Sequence, residues 1–267
     1  MLQYRWNEQS SRCKIGCDGC PFFSGAPSPD KARRCARHEE FMPKPIDETE
    51  ERTMLYYLPG CTTNRNHKQA GRKLLDYMRA RGAKIAKCCK LDVDYYRDGD
   101  VAVQTCTQCG LILQERRPGL RVVSIYEFLA DNPGFPFPDL RGKRLTVQDC
   151  FRTREDAPLQ DAVRQCLKNM KAEIVEAKEN RGDTKFCGVW LNSPIDKQCA
   201  ALAPKTFAAL EPFRKLLSPE EQKAAMTEWN KQYETEEVVV YCNGCEKGLR
   251  LGGGKPVHLI ELLAAGL

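Results

Sequence analysis

The sequence predicts an α/β fold: two pseudo-repeated Rossmann-like halves with cysteine clusters at the C-terminal ends of their strands, preceded by a small cysteine-rich segment. Three observations predict it. Short apolar runs alternate with stretches of helical periodicity from residue 53 onward. Cysteines stand directly after such runs, as in Val101-Ala-Val-Gln-Thr-Cys106-Thr-Gln-Cys109 and Glu237-Val-Val-Val-Tyr-Cys242-Asn-Gly-Cys245. The motifs also repeat in order, since Val123-Ser-Ile-Tyr-Glu-Phe-Leu-Ala130 lines up with Val257-His-Leu-Ile-Glu-Leu-Leu-Ala264 downstream of the two pairs.

Residues 1–52 have no strong periodicity and hold Cys13, Cys17, Cys20 and Cys35 before a Pro43-Lys-Pro45 turn and an acidic stretch at 47–51. They read as a metal-stapled appendage and linker. The first half, 53–138, opens with a strand at 54–58 ending in Pro59-Gly60-Cys61. Residues 64–81 carry helical spacing through Leu74, Leu75 and Met78 and stop at Gly82. A strand at 84–87 runs into Cys88-Cys89, one at 101–105 enters Cys106, and one at 121–124 precedes a helix through Phe128 and Leu129. Pro133-Gly134, Pro136 and Pro138 close this half. The second half, 139–267, repeats the plan: a strand at 145–148 ending near Cys150, a helix at 157–171, a strand at 173–177, and then Phe186-Cys187-Gly188. A helical insertion follows, where Ser218-Pro-Glu-Glu221 is a capping box with proline at the first helical position. A strand at 237–241 enters Cys242, and a helix leads on to 256–263. Helices that open just after the cysteine pairs direct their backbone N–H groups at anything anionic held there.

Cysteine is the informative residue: there are 15, against 3 histidines. No apolar signal core marks residues 1–12, so the expected compartment is the cytoplasm, which keeps thiols reduced. The cysteines then read as metal ligands or redox groups and not as a disulfide framework. Scarce histidine argues against mixed Cys/His zinc fingers. No run reaches the roughly 20 apolar residues of a membrane helix, so direct membrane insertion is not expected. Basic residues (42) and acidic ones (36) are interleaved, and a net charge of +6 without a basic, aromatic-studded face points away from nucleic acid. Gly252-Gly-Gly254 lacks the Lys-Ser/Thr ending of a phosphate loop and reads as a turn.

The first half offers Cys61, Cys88, Cys89, Cys106 and Cys109, more thiols than one tetrahedral zinc or one cubane needs. Adjacent side chains diverge, so Cys88 and Cys89 serve one centre only if it is large or irregular. The second half offers Cys150, Cys187, Cys242 and Cys245, enough for a cubane or a zinc. At the N-terminus, Cys13-x3-Cys17-x2-Cys20 with Cys35 suits a further 4Fe–4S cluster or a structural zinc. Cys166 lies among apolar neighbours mid-helix and reads as a core thiol, while Cys199, twelve residues past Cys187, is a candidate extra ligand for the second set. His67 follows Cys61, with Asn64 and Arg65, at an expected helix start. Its ordinary pKa suits a general acid for a leaving thiolate; an idle, exposed histidine is the alternative.

Leu58-Pro-Gly-Cys61, Cys88-Cys89 and Cys106-x-x-Cys109, with Cys150, Cys187-Gly188 and Cys242-x-x-Cys245 as a second copy, resemble the cysteine-rich CCG domain of heterodisulfide reductase. The same domain occurs in the iron–sulfur subunits of glycolate oxidase and glycerol-3-phosphate dehydrogenase. The resemblance covers about 53–267. It implies a non-cubane 4Fe–4S cluster held by five cysteines, acting in disulfide cleavage, with electrons from a partner such as ferredoxin or a flavoprotein. Two positions depart from the pattern. Lys90 replaces the glycine after Cys88-Cys89, and Phe186 stands where the second copy would begin its cysteine pair. The expectation is therefore one non-cubane cluster in the first half, one cubane in the second, and a small thiol or disulfide as substrate. An electron-transfer subunit without its own substrate is the alternative, and a zinc-ribbon nucleic-acid module a remote one.

Overall fold

A computed structural model describes residues 53–91 and 94–267. Cys13, Cys17, Cys20 and Cys35 lie outside the described residues. Residues Thr53–Leu267 form one compact unit, and it is α/β throughout.

Two parallel four-stranded sheets organise it. The first contains β1 (Leu55–Leu58), β2 (Lys84–Ile85), β3 (Val101–Gln104) and β4 (Arg121–Ser124) in the order β2-β1-β3-β4. The second contains β5 (Arg144–Val147), β6 (Glu173–Glu176), β7 (Glu237–Val240) and β8 (Lys255–His258) in the order β6-β5-β7-β8. The two topologies are identical, which bears out the repeat read from the sequence. Within each sheet the two central strands each bury three of their four residues and are mostly apolar, as parallel strands covered on both faces require.

Helices connect the strands. In the first half these are α1 (Cys61–Asn66), α2 (Lys68–Ala80), α3 (Thr107–Arg116) and α4 (Ile125–Ala130). In the second they are α5 (Ala157–Asn169), α6 (Lys197–Leu202), α7 (Pro204–Leu210), α8 (Pro219–Asn230), α9 (Asn243–Leu251) and α10 (Leu259–Ala264). The capping box at Ser218 starts α8 as expected: Glu221 N–H donates to Ser218 Oγ and Ser218 N–H to the Glu221 carboxylate, at 3.3 and 2.8 Å. The helix expected at 64–81 is broken at His67, whose backbone (φ −125°, ψ 55°) separates α1 from α2. Gly71 in the first turn of α2 packs on Asn64, where a Cβ would come within 2.3 Å of the Asn64 side-chain oxygen. That close approach folds α1 back against α2.

The halves embrace reciprocally. In each half, the helix after the first strand packs on the last helix of the other: α2 on α10 and α5 on α4. Lys73 Nζ on α2 donates to Ala264 O at 3.0 Å, and Asn169 Nδ2 on α5 donates to Ala130 O at 2.8 Å. Ala264 and Ala130 are equivalent positions of the repeat, so each closing helix has its free C-terminal carbonyl capped by the other half. Such exchange of equivalent contacts is the arrangement of a twofold dimer, here within one chain. It carries a continuous core from Tyr57, Leu74 and Val103 to Val147, Val239 and Leu263. Cys166 belongs to that core: its buried thiol lies 3.6 Å from Tyr126 O, and burial pushes its pKa up to about 12.

The insertion that carries α6 and α7 crosses back to the first half. Glu115 at the end of α3 accepts from the backbone N–H groups of Lys205 and Thr206 at 2.9 and 2.7 Å, capping the start of α7. No helix among the described residues is long and apolar enough to cross a membrane.

Candidate metal centre

Every cysteine of both motif sets stands just past the C-terminal end of a strand or in the loop or helix that follows. Cys150, Cys187, Cys242 and Cys245 are buried, and their sulfurs all lie within 4.8 Å of one another. Cys150 follows β5, and Cys242 is the N-cap of α9, which carries Cys245 in its first turn. Cys187 comes from the loop before the Gly188–Trp190 turn. That turn sits against α9 because three glycines meet there: a Cβ on Gly188 would lie 2.1 Å from Gly244 O, and one on Gly248 2.5 Å from Gly188 Cα.

A polar layer fixes Cys150 from below. Its N–H donates to Tyr241 Oη at 3.1 Å, and that hydroxyl donates to Asp149 at 3.1 Å. Asp149 also takes a bidentate grip from Arg164 (3.1 and 2.7 Å). Above the thiols lies Arg152. Its Nε donates to Cys187 Sγ at 3.2 Å, one Nη to Cys242 Sγ at 3.1 Å, and the other to Gln108 Oε1 of the first half at 3.2 Å. Burial opposes its charge, but Cys187, Cys242, Cys150 and Cys106 around it hold its pKa above the ordinary value. Contacts from Cys150, Cys187 and Cys245 hold the Cys242 thiol well below its ordinary value, whereas burial raises Cys150 and Cys245.

A single tetrahedral ion with bonds of about 2.3 Å places its sulfurs roughly 3.8 Å apart. The four thiols, all within 4.8 Å of one another, are close enough to hold a metal centre. A second observation fits a sulfur-rich acceptor. The Tyr126 hydroxyl is fully buried, has no hydrogen-bond partner among the described residues, and lies in electrostatic reach of both Cys242 and Cys106.

The first set is arranged differently. Cys109 on α3 contacts both Cys106 and Cys89, and Cys88 contacts Cys89. Cys106 is drawn down to about 6, first by the Cys109 thiol, against burial, with help from the Cys109 N–H and Arg152. Cys61 is exposed and acts on Cys88 electrostatically; Cys88 and Cys106 are half-buried. Among the described residues, the four-thiol group of the second half alone closes within mutual reach. Gly60 (φ +71°) allows β1 to turn into α1 against Cys106, whose Cβ would lie 3.0 Å from a Cβ at 60.

Cys199 lies outside the four-thiol group and belongs with Cys89 and Cys109 to the first half's apolar cluster, where Gln108 Nε2 donates to its sulfur at 2.8 Å. Both departures from the repeat pattern have a structural reason. Lys90 pairs with Asp196 at 2.9 Å, beside Cys199, and ties the insertion down. Phe186 stacks on Trp229 of α8, with ring centroids 4.9 Å apart. Arg152, Gln108, Asp149, Tyr241 and Tyr126 were not singled out by sequence reasoning. The one available signal was a charged residue two places past a ligand, flanking a strand end.

His67 is buried at the junction of the halves and not on the surface. Its Nε2 lies 2.9 Å from Glu246 of α9 and its Nδ1 2.8 Å from Glu261 of α10, with Arg250 on the far side of Glu246 and the His258 ring 4.7 Å away. Both ring nitrogens are thus engaged. Burial lowers its pKa, but the two carboxylates outweigh it and hold it above 6.5, whereas burial and then His67 push His258 down to about 4. His67 therefore adds stability that is complete below pH 6.5 and lost as pH rises through its raised folded value. His258 subtracts stability as pH falls from 6.5 towards 4, because only the unfolded chain takes the proton there. Denaturation across pH 4–9 is expected to show maximal stability near pH 6.5. His67→Gln is expected to flatten the alkaline limb. Breaking a buried pair costs about 3–5 kcal/mol, and because Arg250 stays with Glu246 the expected loss is about 2 kcal/mol. A wild-type alkaline limb that is already flat counts against this latch.

Comparison with family models, curated proteins and solved structures gives no match to this chain.

Proposed function

We propose that this chain is an iron–sulfur redox protein of the CCG-domain type, resembling the CCG-domain component of heterodisulfide reductase, that takes electrons from a partner protein and acts on a disulfide or thiol. The observation that carries the reading is the pairing of two cysteine sets in one twofold-like frame, one sealed and one open. The sealed set, Cys150, Cys187, Cys242 and Cys245, suits a centre that stores or relays an electron away from solvent. The open set, Cys61, Cys88, Cys89, Cys106 and Cys109, leaves Cys61 exposed where a small thiol or disulfide has access. Bound there, an iron–sulfur cluster supplies one-electron steps and an iron site for sulfur.

The chain's own residues support that chemistry in three ways. The insertion through Cys199, Ala203 and Phe207 packs on the buried side of the first set, against Cys89 and Cys109. Arg152 and Gln108 span the two sets. Cutting a disulfide to two thiols consumes two electrons and two protons; both electrons come from the partner, such as ferredoxin or a flavoprotein. His67, held between two glutamates, acts in this reading as a latch between the halves and not as the acid.

A second reading rests on the spacing of the four buried thiols, which suits a single zinc ion. Metal and acid-labile sulfide analysis of anaerobically purified protein separates the two. Roughly eight to twelve irons with matching sulfide, and absorption or EPR spectra that change when a thiol or disulfide is added, support the redox reading. Zinc without sulfide in a colourless sample overturns it. Iron–sulfur spectra indifferent to every thiol and disulfide leave an electron-transfer subunit.

A further inference from the structure

We propose that Arg152 is a cation shared by the two cysteine sets, a positioning residue that sets the reduction potential of the centre held by Cys150, Cys187, Cys242 and Cys245. The inference deepens the redox reading and rests on it. Its ground is geometric. All three guanidinium nitrogens are committed: Nε to Cys187 Sγ, one Nη to Cys242 Sγ, and the other to Gln108 Oε1. The guanidinium also lies over the Trp190 ring, 4.7 Å from its centroid. Arg152 is 9% exposed, so water screens it little. Burying a guanidinium is costly without anionic partners, and the sulfurs its nitrogens reach are those of Cys187 and Cys242, with Cys150 and Cys106 also close.

The bridge is continuous. Cys187 and Cys242 receive from Arg152, Arg152 donates to Gln108, and Gln108 donates to Cys199 beside Cys89 and Cys109. Gln108 lies inside the first set's Cys106-x-x-Cys109, so the two sets meet through the spacer of one motif and the residue two past Cys150. On the other side of the repeat the position two past Cys61 is Thr63, and its contact with the second pair's spacer is neutral: Asn243 Nδ2, one place earlier in its spacer than Gln108 is in the first, donates to Thr63 Oγ1 at 2.8 Å. The positive charge is thus placed on one side of a nearly symmetric frame, against the sealed set. A fixed cation and N–H donors on ligand sulfur both favour the more negative, reduced state of a thiolate-bound centre. Lysine keeps the charge but has no planar fork to span two sulfurs and an amide.

The test is a redox titration of the anaerobic full chain, wild type against Arg152→Gln and Arg152→Lys, with iron and sulfide measured on each sample. At a fixed poise, Arg152→Gln is expected to lower the reduced-to-oxidised ratio of one centre by about tenfold or more, about 59 mV for a one-electron couple. Arg152→Lys is expected to fall between it and wild type. Should only the lysine variant retain its metal, its own drop decides. A metal-loaded variant of either kind at the wild-type potential overturns the proposal and leaves the redox reading intact. A wild-type chain with zinc and no sulfide overturns both.

Discussion

Gly188→Ala is expected to cost about 3–5 kcal/mol of stability and to strip the sealed set of its metal. Two independent effects add there. The backbone at Gly188 has φ +50°, which costs an alanine about 1–2 kcal/mol. The new methyl would also lie 2.1 Å from Gly244 O and 3.1 Å from Cys245 Cα. Those are backbone atoms of the turn and helix that hold Cys242 and Cys245, so the clash cannot be relieved by rotating a side chain. Relief requires α9 to move away from Cys187, which separates two ligands from a third. Gly253→Ala is the matched control: φ is +83° and nothing lies within 4 Å of the added carbon, so it pays the backbone cost alone. Thermal melts and metal content of the two variants check the pair. Equal losses, with metal retained in both, would mean that the 188–244 contact does not position the thiols.

What the sequence made legible follows physical range. The central strands were readable because each is a short, mostly apolar run that leads into a cysteine, and the repeat was readable because both halves use the same run. Val101 to Gln104 and Glu237 to Val240 occupy equivalent central strands, as their alignment implied. The closing helices align too, yet their first turns part: Glu127 reaches back to the N–H of Ser124, while its equivalent Glu261 is turned to His67 of the other half. That pairing lies 194 residues apart, beyond any periodicity. The break at His67 was hidden for the same reason. Leu74, Leu75 and Met78 continue the helical spacing whether or not the chain bends at 67. Nearness in sequence to Cys187 makes Cys199 a candidate for the second set and says nothing of Lys90 and Gln108, the first-half residues that hold the insertion carrying it. Arg152 carried no motif; its meaning comes from three partners on three different segments.

Serine in place of Cys150 and serine in place of Cys61 are expected to fail in opposite ways. Cys150 is 0% exposed and 3.4 Å from Cys187 Sγ, and its N–H is held by Tyr241 above Asp149. Removing its thiol leaves a buried centre one ligand short, with no other described thiol inside the group to replace it. Metal binding there is coupled to folding, so Cys150→Ser is expected to lose the second centre and about 10 °C or more in melting temperature. Cys61 is exposed at the first position of α1, and the core beneath it is built by Tyr57, Leu58 and Leu74. Cys61→Ser is expected to change apo-protein stability by less than about 0.5 kcal/mol while abolishing the spectral response to added thiol or disulfide. The contrast locates reactivity by access and stability by burial. Metal content, melting curves and thiol-difference spectra of the two variants decide it. A Cys61→Ser chain that still responds to thiols would move the reactive sulfur site away from the open set.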